Sequence, residues 1–582
     1  MGDVAERIER NSHVAHRATA TEERLTFCFR KTRLRCSVAS VNEAAIPANK
    51  RISTRATGVV GVAVLCSRVL GLLREVIFAA LFGASRNMDA FLTAFRAPNM
   101  LRDLFAEGAL STAFVTTFSR RIATEGDDSA WRLASKVATL TVVFMSGLTV
   151  LGIIGAPVLI EILAPGFPPE KAALTIQLTR IMFPFILLVS LAALVMGMLN
   201  ARNVFGMPAM ASSFFNLGSI VGGVALCYWL EPQADWRHPH FGERGLMGLA
   251  IATLIGGLLQ LVVQLPSLGR VGFRFRPDFK WRDPGVRTIL AIMGPATIAA
   301  SAVQINVAVN SGFASKLGDG AITWLNVAFR LMQLPLGIFG VAVATVALPL
   351  VSRSAALGNK EEFRGALSHA IRLVMLLTIP SAIGLIILAN PIISLIYEHG
   401  QFNAFATEQT ALALRCYAIG LVAYSADKVL APAFYALDKR NLPMFVSLCS
   451  IVVNFCLNYY FTFHLELGHR GLALSTSLVA FTNFVMLYTM MRRYAGRLET
   501  GAMIKTLAKL LLAGALLAGI CLLAQHFVFA AAGATLGRKA VGLLVTIAVG
   551  SATFFGAAYL LHVAELRDVV TLVRGRFSRV RP

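Results

Sequence analysis

From about residue 58 to residue 562 the chain is a succession of apolar runs, each closed by a short polar stretch. An apolar run of about 20 residues crosses a bilayer as a helix. The runs do not alternate apolar and polar positions, and a span in lipid must satisfy its own backbone hydrogen bonds, so helices are expected and strands are not. Fourteen spans are expected, over approximately 58–82, 89–119, 134–163, 174–200, 207–230, 245–268, 287–316, 321–352, 366–389, 409–437, 442–463, 471–491, 503–530 and 539–562. The fold class that follows is an all-α polytopic membrane protein with 14 transmembrane helices.

Composition agrees. Only 15% of residues are charged, against about 25% in soluble proteins. The net charge of +23 raises the question of nucleic acid, but the Arg and Lys sit mostly in short loops between spans, so no nucleic-acid partner is expected. Alternate loops differ sharply. One set holds Arg120, Arg121, Arg132, Arg202, Arg270, Arg274, Arg276, Lys280, Arg282, Arg287, Arg353, Lys360, Arg364, Lys439, Arg440, Arg492, Arg493 and Arg497. The other set is sparse in cations. Basic loops stay inside, so the first set is cytoplasmic, in a bacterial inner membrane. An even number of spans places both termini on that side, and the tail with Arg574, Arg576, Arg579 and Arg581 agrees.

The chain also repeats itself. Ala94-Phe95-Arg96 recurs as Ala328-Phe329-Arg330, Ser119-Arg120 as Ser352-Arg353, and Pro208 as Pro443. All these shifts are nearly equal and cover six spans. Six is even, so both copies insert the same way round, as parallel repeats. The expected organisation is a basic, disordered cytoplasmic extension over 1–55 with no signal-peptide core (or an over-long start), and an N-terminal six-helix lobe over 56–268. A basic cytoplasmic linker (269–285) leads to a C-terminal six-helix lobe (286–494). Two extra C-terminal helices (495–563) and a basic tail (564–582) follow.

Charge inside the spans is the candidate chemistry. An ionisable residue within a span costs several kcal/mol unless it faces a partner or a wet cavity. The first two segments carry Arg68, Arg74, Glu75, Asp89, Arg96, Arg102, Asp103 and Glu107, segment eight carries Arg330, and segment ten carries Asp427 and Lys428. Arg68 and Arg74, six residues apart, lie about 9 Å apart along a helix and about 120° around it. Both can border one wide cavity. Asp103 and Glu107, four apart, share a helix face. One reading is mutual pairing that fixes helix packing. The other is a hydrated, net cationic cavity, because a guanidinium binds phosphate oxygens bidentately and keeps its charge. Pro98-Asn99 and Pro335 interrupt segments two and eight, as suits spans that bend.

No catalytic motif is present: no GxSxG, no HExxH, no phosphate loop. Most Cys lie in apolar runs, none with metal-ligand spacing, so neither an enzyme nor a metal site is expected. No cofactor is expected either. Energy would come from the membrane potential, substrate flux or a monovalent ion.

The run Ser67-Arg68-Val69-Leu70-Gly71, Arg74-Glu75, Phe82-Gly83, Asp89-Ala90-Phe91, Phe95-Arg96-Ala97-Pro98-Asn99, Arg102 and Phe105-Ala106-Glu107-Gly108-Ala109 closely resembles the MurJ (MviN) family of lipid II flippases. Arg330-Leu331-Met332-Gln333-Leu334-Pro335 and Lys428-Val429-Leu430-Ala431-Pro432 support the likeness, which covers about residues 58–563. The resemblance implies two six-helix lobes of the multidrug/oligosaccharidyl-lipid/polysaccharide exporter type. It implies two final helices bordering a groove for the polyprenyl tail, and a central cavity lined by the positions of Arg68, Arg74, Arg102 and Arg330. Asp89, near the outer mouth, and Asn99, Glu107 and Lys428 are further cavity or gating candidates. The implied partner is lipid II, a polyprenyl diphosphate-linked disaccharide-peptide, with membrane lipids and cell-wall synthesis and division proteins around it. Some members hold sodium with acidic and amide residues. Here the matching candidates are Asn310, Asn454, Asn458 and Ser475, with no carboxylate, which argues against sodium coupling. Phe329, Gln333 and Asp103 also depart from the common family residues. The alternatives are an O-antigen or multidrug exporter of the same fold, and a membrane scaffold that transports nothing.

Overall fold

The computed structural model describes residues 54–234, 240–529 and 535–567. Nearly all of the expected extension over 1–55, and most of the tail over 564–582, lie outside the described residues, so those two expectations are not addressed by it. Every element within the described residues is a helix. In chain order they are α1 (Thr54–Phe82), α2 (Arg86–Arg102), α3 (Ser111–Glu125), α4 (Asp127–Leu163), α5 (Pro169–Met182), α6 (Phe185–Ala201), α7 (Gly206–Leu230), α8 (Glu243–Val262), α9 (Leu265–Arg270) and α10 (Pro284–Ala314). Then come α11 (Ala321–Pro335), α12 (Val341–Ala356), α13 (Lys360–Ile387), α14 (Ala389–Tyr397), α15 (Ala404–Ile419), α16 (Leu421–Ala436), α17 (Asn441–Tyr459), α18 (Gly468–Ala495), α19 (Thr500–Ala524) and α20 (Leu536–Leu560).

Among the described residues, ten helical stretches are long and apolar enough to cross a membrane. Helix α10 makes eleven if its arms, Pro284–Pro295 and Ala300–Ala314, bent by 45°, count as one span. Length and apolarity therefore establish ten or eleven spans, not the expected fourteen. The three expected segments beyond these, 58–82, 89–119 and 409–437, are helical, in α1, α2–α3 and α15–α16. They are set apart by charge: Arg68, Arg74 and Glu75 in the first, Arg96, Arg102 and Asp103 in the second, Arg415, Asp427 and Lys428 in the third. Lipid tolerates such helices only where protein or water surrounds the charges.

The repeat is visible in the helix boundaries. The helices opening at Arg86, Pro169 and Gly206 have counterparts opening at Ala321, Ala404 and Asn441, each 235 residues later. Both copies also break in the same manner. A π turn over Asp103–Leu110 joins α2 to α3, and another over Leu336–Gly340 joins α11 to α12. Pro98 and Pro335 lie just upstream, and each removes an intrahelical hydrogen bond that the wider turn absorbs. Asp103 and Glu107 both lie in the first π turn, and the side chain of Glu107 lies outside the described residues.

Packing follows the same halves. Phe114, Phe118, Leu133, Leu194 and Leu199 form one fully buried cluster among α3, α4 and α6. In the second half Leu367, Ile371, Leu376, Leu430 and Phe434 form another. Leu510, Ala513, Leu517 and Phe554 join that cluster, so α19 and α20 are packed onto the second half, mostly through α13. Large apolar side chains such as Leu151, Ile154, Val346 and Leu544 point outward, 67%, 70%, 79% and 67% exposed. An aqueous surface does not carry such residues in continuous bands, whereas lipid does.

Candidate functional site

The four arginines come together from both halves. Arg68, Arg74 and Glu75 lie on α1, Arg102 closes α2, and Arg330 lies on α11. The Arg330 Nη2 is 2.5 Å from Glu75 Oε1, and the Arg74 Nη2 is 4.0 Å from the same oxygen. One carboxylate is thus shared by two guanidiniums, one from each half. Arg74 also lies over the Phe215 ring of α7, 5.1 Å from its centroid. Burying the flat face of a guanidinium against an aromatic ring holds it in place without neutralising it. Arg102 donates from Nε and Nη2 to Asp103 Oδ1, at 3.2 and 2.9 Å, and Gln304 reaches the other oxygen of Asp103 at 3.4 Å.

Arg68 has no ion pair among the described residues. Its guanidinium occupies the space beside Gly337 in the second π turn, where a methyl group would lie 2.8 Å from Nη1. Four guanidiniums therefore face two described carboxylates. The side chain of Arg330 is 46% exposed, whereas those of Arg74 and Glu75 are 14% exposed. Among the described residues, the carboxylates of Glu75 and Asp103 do not by themselves balance the four guanidiniums.

Asp89 has a different setting. Its carboxylate is fully buried and accepts hydrogen bonds from Gly320 N (2.7 Å), Thr323 N (2.9 Å) and Thr323 Oγ1 (2.7 Å). These are the free donors at the start of α11, so a first-half carboxylate caps a second-half helix, the favourable end for an anion. Lys171 of α5 lies 3.2 Å from Asp89 and 2.8 Å from Asp319. Two neighbouring joints tie the halves at the same end. Gly166 N donates to Ser315 Oγ at 3.0 Å, and Gln401 N donates to Ala80 O at 2.8 Å. At that last joint Gly83 and Gly400, both with positive φ, press on each other's strand. A Cβ would lie 2.6 Å from Gln401 O on the first and 2.3 Å from Ala80 O on the second. Asp89 is thus part of a latch, not of the arginine group.

The remaining candidates scatter. Asn99 is half-buried, and its carbonyl accepts from the backbone N–H of Asp103. Lys428 is exposed on α16. Glu107 lies in the first π turn, with its side chain outside the described residues. The amide candidates do meet. Asn310 Oδ1 accepts from Asn454 Nδ2 at 2.9 Å and from Asn458 Nδ2 at 2.7 Å. Asn454 also bonds Asn306, and Ser475 bonds Asn458. All these ligands are neutral; Asn310 accepts from Asn454 and Asn458, Asn306 from Asn454 and Asn458 from Ser475, which leaves Asn454 Oδ1 as the one buried oxygen of the four amides without a described partner. Such a set does not fit a tightly held cation, which asks for several free or charged oxygens.

Sequence reasoning missed Lys171, Gly320, Thr323 and Asn306 as members of these groups, and it singled out Glu75 without seeing its partner. Only Glu75 carried a signal, as a carboxylate next to Arg74 in an otherwise apolar run. A cavity of about 570 Å³ elsewhere in the first half is lined by Arg86, Glu170, Arg180 and Glu243, none of them part of the arginine group.

At the basic linker, outside the spans, Asp283 caps α10 through Gly285 N (2.7 Å) and pairs with Arg121 (2.7 Å) and Lys136 (2.8 Å). Burial opposes its charge, but these hydrogen bonds outweigh burial and hold its carboxyl well below the usual carboxylate range.

Two repeated sets of helices, latched at one end and meeting over a cationic group placed within the spans, define a two-lobed polytopic membrane transporter. Comparison with solved structures places the fold. An inward-facing multidrug resistance MATE family transporter of the MOP superfamily aligns with TM-score 0.62 at 16% identity, covering 75% of this chain and 96% of that one. A structure described as lipid II flippase MurJ in an inward closed conformation aligns with TM-score 0.67 at 25% identity, covering 85% and 98%. The family described as lipid II flippase MurJ matches residues 78–536. The lipid II flippase MurJ of Burkholderia cenocepacia is 37% identical over 435 residues, which is 74% of this chain and 82% of the relative. The chain belongs to the lipid II flippase MurJ family.

Proposed function

We propose that this protein carries lipid II from the cytoplasmic to the periplasmic leaflet of the bacterial inner membrane, by alternating access. The observation that supports this most is the shared carboxylate, with Arg74 of one half and Arg330 of the other meeting on Glu75. A diphosphate has more oxygens and more charge than a carboxylate. It therefore competes for both guanidiniums, and so draws on both lobes at once. Arg68 and Arg102 border the same headgroup space. The sugar and peptide stay in water between the lobes, and the prenyl tail stays in lipid along α19 and α20.

The remaining assignments follow from the loop charges. The basic loops face the cytoplasm, with both termini on that side, so the latch around Asp89 closes the periplasmic end. The cycle then opens this latch and closes the cytoplasmic end. Voltage favours the loaded direction. A diphosphate of about two negative charges leaving a cytoplasm at about −100 mV gains roughly 4–5 kcal/mol, at about 2.3 per charge. The neutral amide group leaves sodium out of this cycle. A scaffold that transports nothing has no use for arginines gathered within the spans from both lobes. A multidrug exporter has no use for one aimed at phosphate.

The test is depletion of the protein in cells, followed by identification of the lipid-linked precursor that accumulates on the cytoplasmic side. Lipid II is the expected species. Accumulation of a different lipid-linked sugar, or of none, contradicts the proposal. Complementation by a variant with Arg74 and Arg330 both neutralised, at equal abundance, contradicts the site.

A further inference from the structure

Glu75 presents its two oxygens to different surroundings. Oε1 meets Arg330 and Arg74. Oε2 is buried and has no hydrogen-bond partner among the described residues. Glu75 also lines, together with Arg74, a cavity of about 40 Å³ among α1, α2, α7 and α8. Ser219 lines the same cavity, is 1% exposed, and its hydroxyl is likewise without a partner. A space of this size admits a water, for which about 10–15 Å³ is enough. A water in this space gives an acid proton on Oε2 an acceptor, with Ser219 and Thr253 on the same wall.

Charge counting shows when that proton is needed. With the site free of substrate, Arg74 and Arg330 outweigh Glu75 by one positive charge. A diphosphate brings two negative charges to the same pair. Glu75 then loses both cationic partners and becomes a third negative charge in a desolvated place. Two like charges sharing such a site do not both stay ionised. Arg68 and Arg102 border the headgroup space and offset part of the substrate's charge, but the guanidiniums that meet the Glu75 carboxylate itself are those of Arg74 and Arg330. Of the charged and titratable groups around Glu75, Arg74 is its neighbour on α1 and Arg330 reaches it from α11. Arg102 of α2 stands close enough to act on Arg74, and Tyr397 of α14 feels the Glu75 charge. From α7 and α8 the cavity receives Ser219 and Thr253, which are uncharged.

We infer that diphosphate binding at Arg74 and Arg330 is coupled to uptake of one proton by Glu75, which the cavity shared with Ser219 accommodates. The proton comes from bulk water and adds to Oε2, with no bond broken in the lipid. The bound state is then close to neutral, and release of the headgroup returns the proton and restores the Glu75–Arg330 pair. This inference rests on the proposed diphosphate site and adds a proton to it.

The test is binding of lipid II to the purified full-length protein in weak buffer between about pH 6 and 8. The diphosphate of lipid II is a diester and exchanges no proton of its own in this range. The expected result is uptake of about one proton per lipid bound, with Kd rising by up to tenfold per pH unit as the proton becomes scarce. In Glu75→Gln, whatever lipid II binding is measured shows neither the uptake nor the pH slope. Wild-type binding without proton uptake overturns the inference and leaves the diphosphate site standing, and this measurement needs no variant. Uptake that persists unchanged in Glu75→Gln overturns it too. Failure of lipid II to bind at all overturns both the inference and the site beneath it.

Discussion

Replacing Arg330 with Gln separates transport from folding more cleanly than any other single change. Arg330 makes one described ion pair, to Glu75 at 2.5 Å, and 46% of its side chain is exposed. Solvent screens a pair this open, so its loss costs the fold less than about 1 kcal/mol. Arg74 remains 4.0 Å from Glu75 and keeps that carboxylate from being left alone. The substrate loses more. A charge-assisted hydrogen bond is worth about 1.5–3 kcal/mol, and a tenfold change in affinity corresponds to about 1.4 kcal/mol. Arg330→Gln therefore weakens lipid II binding roughly 10- to 100-fold, while melting temperature and abundance stay near wild type. Arg330→Lys keeps the charge but not the planar fork, and falls between the two. The assay is lipid II binding and flipping in proteoliposomes, with thermal unfolding measured in parallel. A variant that binds and flips like wild type refutes the assignment of Arg330. One whose loss of flipping is matched by loss of folded protein refutes the separation argued here.

Other outcomes follow from the same geometry. Asp89→Asn removes the charge that caps α11 and leaves Lys171 to Asp319 alone, which costs the latch about 1–3 kcal/mol. A cysteine placed at Gly337 should then react faster with a thiol reagent added from the periplasmic side, and an unchanged rate contradicts the latch. Cysteines at Ala80 and Gln401, whose backbones hydrogen-bond at 2.8 Å, should cross-link across the halves and stop transport until reduced. Transport that continues in the cross-linked protein contradicts alternating access at this end. The Asp283 carboxyl has a lower pKa folded than unfolded, so its stabilisation is complete above about pH 4 and is lost as pH falls through the lowered value. Asp283→Asn should lower stability by about 1–3 kcal/mol at neutral pH. It should also flatten the acid limb of a melting-temperature profile, and an unchanged acid limb contradicts the linkage. Imposing about −100 mV inside proteoliposomes should favour outward movement of lipid II in its leaflet ratio by roughly a thousandfold if two charges cross, or by roughly fiftyfold if a proton on Glu75 crosses with them, at about 2.3 kcal/mol per net charge. A ratio indifferent to voltage contradicts a net-charged carrier step.

Much of the fold was legible because lipid imposes a simple rule on sequence. Apolar stretches marked the helices, and the equal shifts of Arg96 to Arg330 and Pro208 to Pro443 marked the repeat that recurs in the helix starts 235 residues apart. The cost of charge in lipid picked out Arg68, Arg74, Arg102 and Arg330 before their surroundings were known. That same charge, with the shortness of α2, α3, α15 and α16, sets α1, α2–α3 and α15–α16 apart from the count of long apolar spans. Partnerships were not legible. Glu75 meets Arg330 and Asp89 meets Gly320 and Thr323 across more than 200 residues of chain, and no local pattern encodes such a meeting. Lys171 looked like an ordinary loop cation until the fold buried it to 2% exposure against Asp89. The π turns were half legible, since Pro98 and Pro335 announced a break but not the wider turn that follows.

The central claim is that guanidiniums from both lobes carry a diphosphate-linked lipid across the membrane. The direct measurement is the rate at which lipid II, placed in one leaflet of proteoliposomes, becomes accessible in the other, for wild type and for Arg74→Gln with Arg330→Gln. The account predicts rapid transfer by the wild type and a loss of at least about 100-fold in the folded double variant. Equal rates, or no transfer by the wild type, contradict it.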